Sequence, residues 1–149
     1  MQLGYRPRMP SDPHVVWMPG HVRTEIHLVA DDTGNAFCLL ADEPPAGWSL
    51  PAHRHINAAE TIHIVEGDFE MEVDGQQSRM SAGDTIHVPQ GVIHSGTNVG
   101  GHLSRRVVLF SPAGMERFFL EAGAPGPNSD TDLAAALAAA TRNGWEFIS

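Results

Sequence analysis

From Thr24 to about Ser111 the chain alternates short apolar-rich runs with turn residues, the pattern of an all-β sandwich or barrel. The clearest run is Phe69-Glu70-Met71-Glu72-Val73-Asp74, where apolar and acidic residues alternate without a break. Successive side chains of a strand point to opposite faces, so this run buries one face and wets the other. Asp74-Gly75 supplies a two-residue hairpin turn, and Gly67-Asp68 and Gly83-Asp84 mark further turns. The same alternation turns Ile62, Ile64, Phe69, Met71 and Val73 inward, with Leu39 and Trp48 as candidate neighbours. Phe69, Met71 and Ile62 are the expected walls of any internal pocket.

The ends of the chain have a different texture. Residues 1–22 are rich in Pro and Arg without a clear period and are expected to form an extended arm. Residues 112–149 carry a helical pattern. Ser111-Pro112 offers an N-cap followed by Pro at the first helical position, and the helix is expected to run through Met115–Leu120 and stop at Gly123. After Pro125-Gly126-Pro127 an Ala-rich helix is expected from Asp130 or Thr131 to Arg142, ending near Gly144. Both helices are expected to pack against the exterior of the β-structure. One domain spanning 1–149 is expected, with the β-structure at 23–111.

Composition narrows the function classes. The formal charge is −9 and all nine basic residues are Arg, so a lysine Schiff base is excluded. An acidic chain with scattered Arg has no electrostatic footprint for nucleic acid. No apolar run reaches the roughly 18 residues of a membrane span, and residues 1–14 lack the apolar core of a secretory signal. A soluble, cytoplasmic protein without a membrane partner is expected. Cys38 is the single cysteine and lies in an apolar stretch, which suits packing rather than catalysis.

Nine histidines stand out. In His53-Arg54-His55 the two imidazoles share a face while Arg54 turns away. Glu60 follows after four residues, far enough to start a neighbouring strand, and His94 follows the turn Pro89-Gln90-Gly91. Three imidazoles and one carboxylate suit a single divalent transition metal such as Fe, Mn, Ni, Co, Cu or Zn. In an octahedron they would leave two positions open. His63 and His87 have the opposite parity and are expected on an outer face. His14, His21, His27 and His102 lack ligand spacing and are taken as surface residues.

Gly47, His53-x-His55, Glu60 and Gly67 form one spaced motif; Gly83, Pro89-x-Gly91, His94 and Asn98 form a second, 15 residues after the first ends. In every fixed position these resemble the two motifs of the cupin superfamily, and more narrowly the bacterial single-domain cupins similar to quercetin dioxygenases. The looser likeness continues through Ser111–Phe119. The resemblance implies a double-stranded β-helix (jelly-roll) barrel with His53, His55, Glu60 and His94 as metal ligands near one mouth. It implies a metal-dependent dioxygenase acting on a small aromatic or enolisable molecule, with Glu60 as ligand or as the base that takes the substrate proton. The alternatives are a redox-neutral isomerase, lyase or cyclase, and a non-catalytic cupin that senses a small molecule; the intact ligand set and the lack of an attached DNA-binding domain speak against the sensor. A homodimer that covers the arm and the sheet edges is also implied.

Overall fold

A computed structural model describes residues 13–127 and 132–149. In chain order its elements are β1 (His14–Met18), β2 (Val22–Leu28), α1 (Ala30–Thr33), β3 (Cys38–Glu43), β4 (Ser49–His55), β5 (Ala59–Glu66) and β6 (Asp68–Val73), then β7 (Gln76–Ser81), β8 (Thr85–Val88), β9 (His94–Asn98), β10 (Arg105–Ser111), α2 (Glu116–Ala122), α3 (Leu133–Arg142) and β11 (Trp145–Phe147). They form two antiparallel sheets, one ordered β1-β2-β3-β10-β5-β8 and the other β11-β4-β9-β6-β7. The two sheets sandwich one core. Leu40, Ile62, Ile64, Val108 and Phe110 enter it from the first sheet, and Phe69, Met71 and Met80 from the second. Each such side chain stabilises the fold by roughly 1.5–3 kcal/mol when fully buried. Cys38 belongs to this core and burial pushes its thiol up to about 11, so it is inert packing.

The turns follow from their residues. Asp74 and Gly75 both take positive φ (51° and 79°), the twist that a two-residue hairpin needs between β6 and β7. At Gly67 the constraint is space as well as conformation: a Cβ there would sit 2.7 Å from Cβ of Ser104. Asn98 holds three loop segments together. Its amide donates to the carbonyls of Pro44 (3.1 Å), Pro45 (3.1 Å) and His102 (3.0 Å), and its oxygen accepts from the Gly100 N–H (3.0 Å). A buried amide satisfied this fully pins these loop segments to one another.

Three expectations need correction, and a fourth falls outside the described residues. Residues 14–22 are not an arm: β1 forms a hairpin with β2, and Trp17 bridges to Ala124; residues 1–12 lie outside the described residues. The first long helix starts at Glu116 rather than Pro112. Phe110 and Ser111 stay in β10 by pairing with Glu60 and Ala59, the residue before a proline disfavours helix, and the Ser111 hydroxyl donates to Ala36 O instead of capping. The expected start of α3 at Asp130 or Thr131 lies outside the described residues; Asp132 caps it by accepting from the Ala135 N–H at 3.1 Å. Finally, α2 and α3 do not cover the outside of a sheet. Phe118 and Phe119 from α2, with Leu133, Ala136, Leu137 and Ala140 from α3, line the internal cavity. Among the described residues no helix is long and apolar enough to cross a membrane.

Candidate metal centre

Strand alternation on β4 buries His53 and His55 together, while Arg54 points outward and donates to Glu146 at 2.7 Å. The chain then crosses to the other sheet, where Glu60 is the second residue of β5. His94 opens β9 directly opposite His53 in register. The turn that delivers it is tied to the first motif, because the N–H of Gly91, at φ 79°, donates to the His55 carbonyl at 2.9 Å. The four side chains are all buried, and their ligand atoms lie within 4.8 Å of one another.

Hydrogen bonds set the rings. Nδ1–H of His53 donates to Pro51 O at 2.7 Å and that of His94 to Val92 O at 3.0 Å, so each Nε2 is the nitrogen left for the centre. Glu60 Oε1 lies 3.0 Å from Nε2 of His94 and 3.3 Å from Nε2 of His55. The buried Nδ1 of His55 has no hydrogen-bond partner among the described residues. Its ring is held by packing instead, edge-on to Trp145 with centroids 4.5 Å apart.

The electrostatics favour a neutral His53 beside an ionised Glu60, with His94 holding its proton more tightly. Burial, then the neighbouring His94, pulls His53 down to about 4. Burial alone would push the Glu60 carboxyl up, but hydrogen bonds from His55 and His94 outweigh it and hold the carboxyl well below the usual range. Burial likewise opposes a charge on His94, and the hydrogen bond to Glu60 overcomes it, raising His94 above its ordinary value. Atoms ligated about 2.1 Å from one ion lie no more than about 4.2 Å apart, so this group needs only a small contraction to share a divalent metal. The donor set and the fixed Nε2 atoms fit such an ion.

The centre opens on a cavity of about 160 Å³. His53 and Glu60 face it, Trp48, Leu50, Phe110 and Trp145 give it apolar walls, and α3 adds Leu133, Ala136, Leu137 and Ala140, of which the two leucines are exposed. A smaller pocket of about 30 Å³ lies beside His94 and is lined by Ile62 and Met71. Phe69 is outside the lining of both; it is fully buried beneath Arg106. Trp48 lines both pockets, whereas Leu39 is half-buried and its neighbour Leu40 takes the inward place. His63 and His87 are exposed on the outer face, each paired across β5 and β8 with a threonine, Thr85 and Thr61 respectively.

Three site residues escaped the sequence reasoning. Arg106 and Asp42 form a buried pair on the cavity wall, and Trp145 stacks on His53 at 4.8 Å. Arg106 shares the parity of Val108 and Phe110, and Asp42 that of Leu40, so an inward charge was detectable by extending the alternation. Trp145 sits in a strand of three residues, too short to give a period.

Two facing sheets with this four-ligand centre define a metal-dependent cupin, and residues 40–109 match the family described as Cupin domain. The part of the chain so matched, residues 40–109, is similar to a cupin domain. It is 32% identical over 94 residues to quercetin 2,3-dioxygenase of Bacillus subtilis (strain 168), a match covering 63% of this chain and 28% of that protein. It is 30% identical over 93 residues to polyketide synthase CurC of Streptomyces cyaneus, covering 62% of this chain and 60% of that protein. The chain thus spans less than two thirds of the length of both relatives. Among solved structures, an RmlC-like cupin from Shewanella frigidimarina superposes with a TM-score of 0.62 at 21% identity, over 78% of this chain and 98% of that one, a likeness of fold.

Proposed function

We propose that this cupin is a metal-dependent dioxygenase acting on a small aromatic or enolisable molecule. The observation that carries the proposal is a complete four-ligand centre opening directly on an apolar, aromatic-walled cavity. The similarity to a quercetin 2,3-dioxygenase supports it. His53, His55, His94 and Glu60 would hold the ion, which when bound supplies Lewis acidity and a template for substrate and O₂. Trp48, Leu50 and Phe110 exclude water and receive the apolar body of the substrate. Glu60 Oε1 is turned to the histidines, whereas Oε2 makes no protein hydrogen bond among the described residues. Oε2 is therefore the Glu60 atom free to face a substrate hydroxyl. Against the effect of burial, the hydrogen bonds from His55 and His94 hold this carboxyl well below the usual range, so it serves better as a ligand than as a base.

Oxygen uptake tests this. Protein loaded separately with Fe, Mn, Ni, Co or Cu is offered flavonols, catechols and β-diketones, with His94→Ala as control. Uptake that requires both metal and His94 is the expected result. A second reading, a redox-neutral isomerase, lyase or cyclase, is favoured by the similarity to a polyketide synthase component. Turnover that proceeds equally without O₂ would select it. Tight metal binding with no turnover at all would leave a sensing cupin.

A further inference from the structure

The Asp42–Arg106 pair is out of place as a structural device. Nε of Arg106 donates to Asp42 Oδ1 at 2.9 Å and Nη2 to Oδ2 at 2.7 Å, a two-pronged fork in the interior. Arg106 is only 7% exposed, and its guanidinium carbon lies 4.8 Å from the Trp48 ring centre and 5.5 Å from that of Phe69. Carboxylate on one edge and aromatic rings beside it fix the plane of the group. The remaining nitrogen, Nη1, donates to nothing among the described residues, yet it is not one of the sealed, unsatisfied buried atoms. Arg106 lines both the large cavity and the small pocket, in each case together with His53 and Glu60. An oriented, charged donor is thus presented to the space in front of the ligand cluster. Buried ion pairs seldom stabilise a fold better than apolar residues of like volume would, so packing gives no reason for this one.

We propose that Arg106 is a substrate-binding residue: Nη1 donates to an oxygen of a singly charged oxygen acid, an enolate, phenolate or carboxylate, held in front of the four-ligand centre. Charge points the same way. With a divalent ion bound, the ion, Glu60, Asp42 and Arg106 together carry one net positive charge, which a single substrate anion balances. Asp42 keeps the guanidinium from closing onto Glu60 and aims its free edge outward. The apolar walls at Trp48, Leu50 and Phe110 then accept an uncharged, carbon-rich body. This inference rests on the metal-dependent function proposed above and names the substrate class of that same site.

The test is binding, measured by calorimetry without O₂ on the nickel-loaded full chain. The probes are benzoylacetone, which ionises to an enolate, and its 2,2-dimethyl derivative, which has no hydrogen between its carbonyls and cannot form the 1,3-diketone enolate. The wild type is expected to bind the enolisable probe about 10- to 100-fold more tightly, the range of one charge-assisted hydrogen bond. The double variant Asp42→Leu/Arg106→Leu, with nickel content checked by mass spectrometry, is expected to lose that preference. Arg106→Lys, which keeps charge but not the planar fork, is expected to weaken enolate binding about tenfold and decides the matter if the double variant does not fold. A wild type without preference overturns the inference, as does an undiminished preference in either variant when folded and nickel-loaded. A clear preference in a protein that consumes no O₂ would sink the dioxygenase and leave the role of Arg106 standing.

Discussion

At the scale of single residues, the interior charges divide into those that are paired and those that wait for a partner. Asp42 and Arg106 are joined by two hydrogen bonds in the interior, so removing one alone strands a charge. Asp42→Ala is expected to lower unfolding free energy by about 3–5 kcal/mol, whereas replacing both residues by leucine is expected to be neutral or better. Urea unfolding of the two variants measures the contrast; equal losses would mean that the pair holds the fold after all. By comparison, Arg142 and Glu121 also form an ion pair, but both are exposed, and solvent screening leaves such a pair little weight in stability. Much of the site was legible at this scale. The spacing of His53, His55, Glu60 and His94 named the cluster that the fold gathers, because ligand geometry restricts which residue types can follow one another on a strand. The wall at Arg106 was not legible as a wall, since a charged residue in a strand ordinarily faces water and only its parity with Val108 and Phe110 says otherwise.

Among the elements, alternation carried the β-structure well and failed near its two ends. β6 and the Asp74-Gly75 turn follow directly from local chemistry. β1 and β11 do not: β1 pairs with its neighbour β2 but lies in a Pro- and Arg-rich stretch without a period, and β11 is three residues long with its partner β4 far away in sequence. β11 is the more consequential, since it pairs with the ligand strand, Trp145 opposite His55 and Phe147 opposite His53. Trp145 packs on both imidazoles, and its indole N–H donates to Met115 Sδ at 3.1 Å, linking β11 to the start of α2. Trp145→Ala is expected to cost about 3–5 kcal/mol of stability through the cavity it leaves. It is also expected to weaken metal affinity about 10- to 100-fold by releasing the rings of His53 and His55, as loss of an outer supporting group does elsewhere. Titration with Co²⁺ followed by absorbance reads the second effect. An unchanged affinity would show that Pro51 and Val92 suffice to hold the ligands.

The molecule as a whole couples its stability to metal and pH through this centre. A bound ion stabilises the folded state in proportion to the logarithm of its concentration over Kd. The ion needs unprotonated nitrogens, and His94, raised above its ordinary value by Glu60, keeps a proton that the ion must displace. Affinity therefore rises as pH climbs through that raised value and falls as pH drops below it. The increase in Tm on adding Ni²⁺ is expected to be larger at pH 8 than at pH 6, and thermal scans at the two values test it. Without metal, His53 acts in the same direction for its own reason. Above about 6.5 it is neutral in both states, while between 6.5 and about 4 only the unfolded chain takes up a proton, so its contribution turns against folding as pH falls.

The pairing of β11 with β4 also has a consequence in time. All four ligands lie between positions 53 and 94, but Glu146, which pairs with Arg54 beside them, lies 92 residues further along the chain. Contacts of such long separation are won late in folding, because the chain between them must first be ordered. The ligands can gather before their aromatic backing arrives. During synthesis the nascent chain would then hold an ion loosely at first and keep it only once the strand at 145–147 has closed over the histidines.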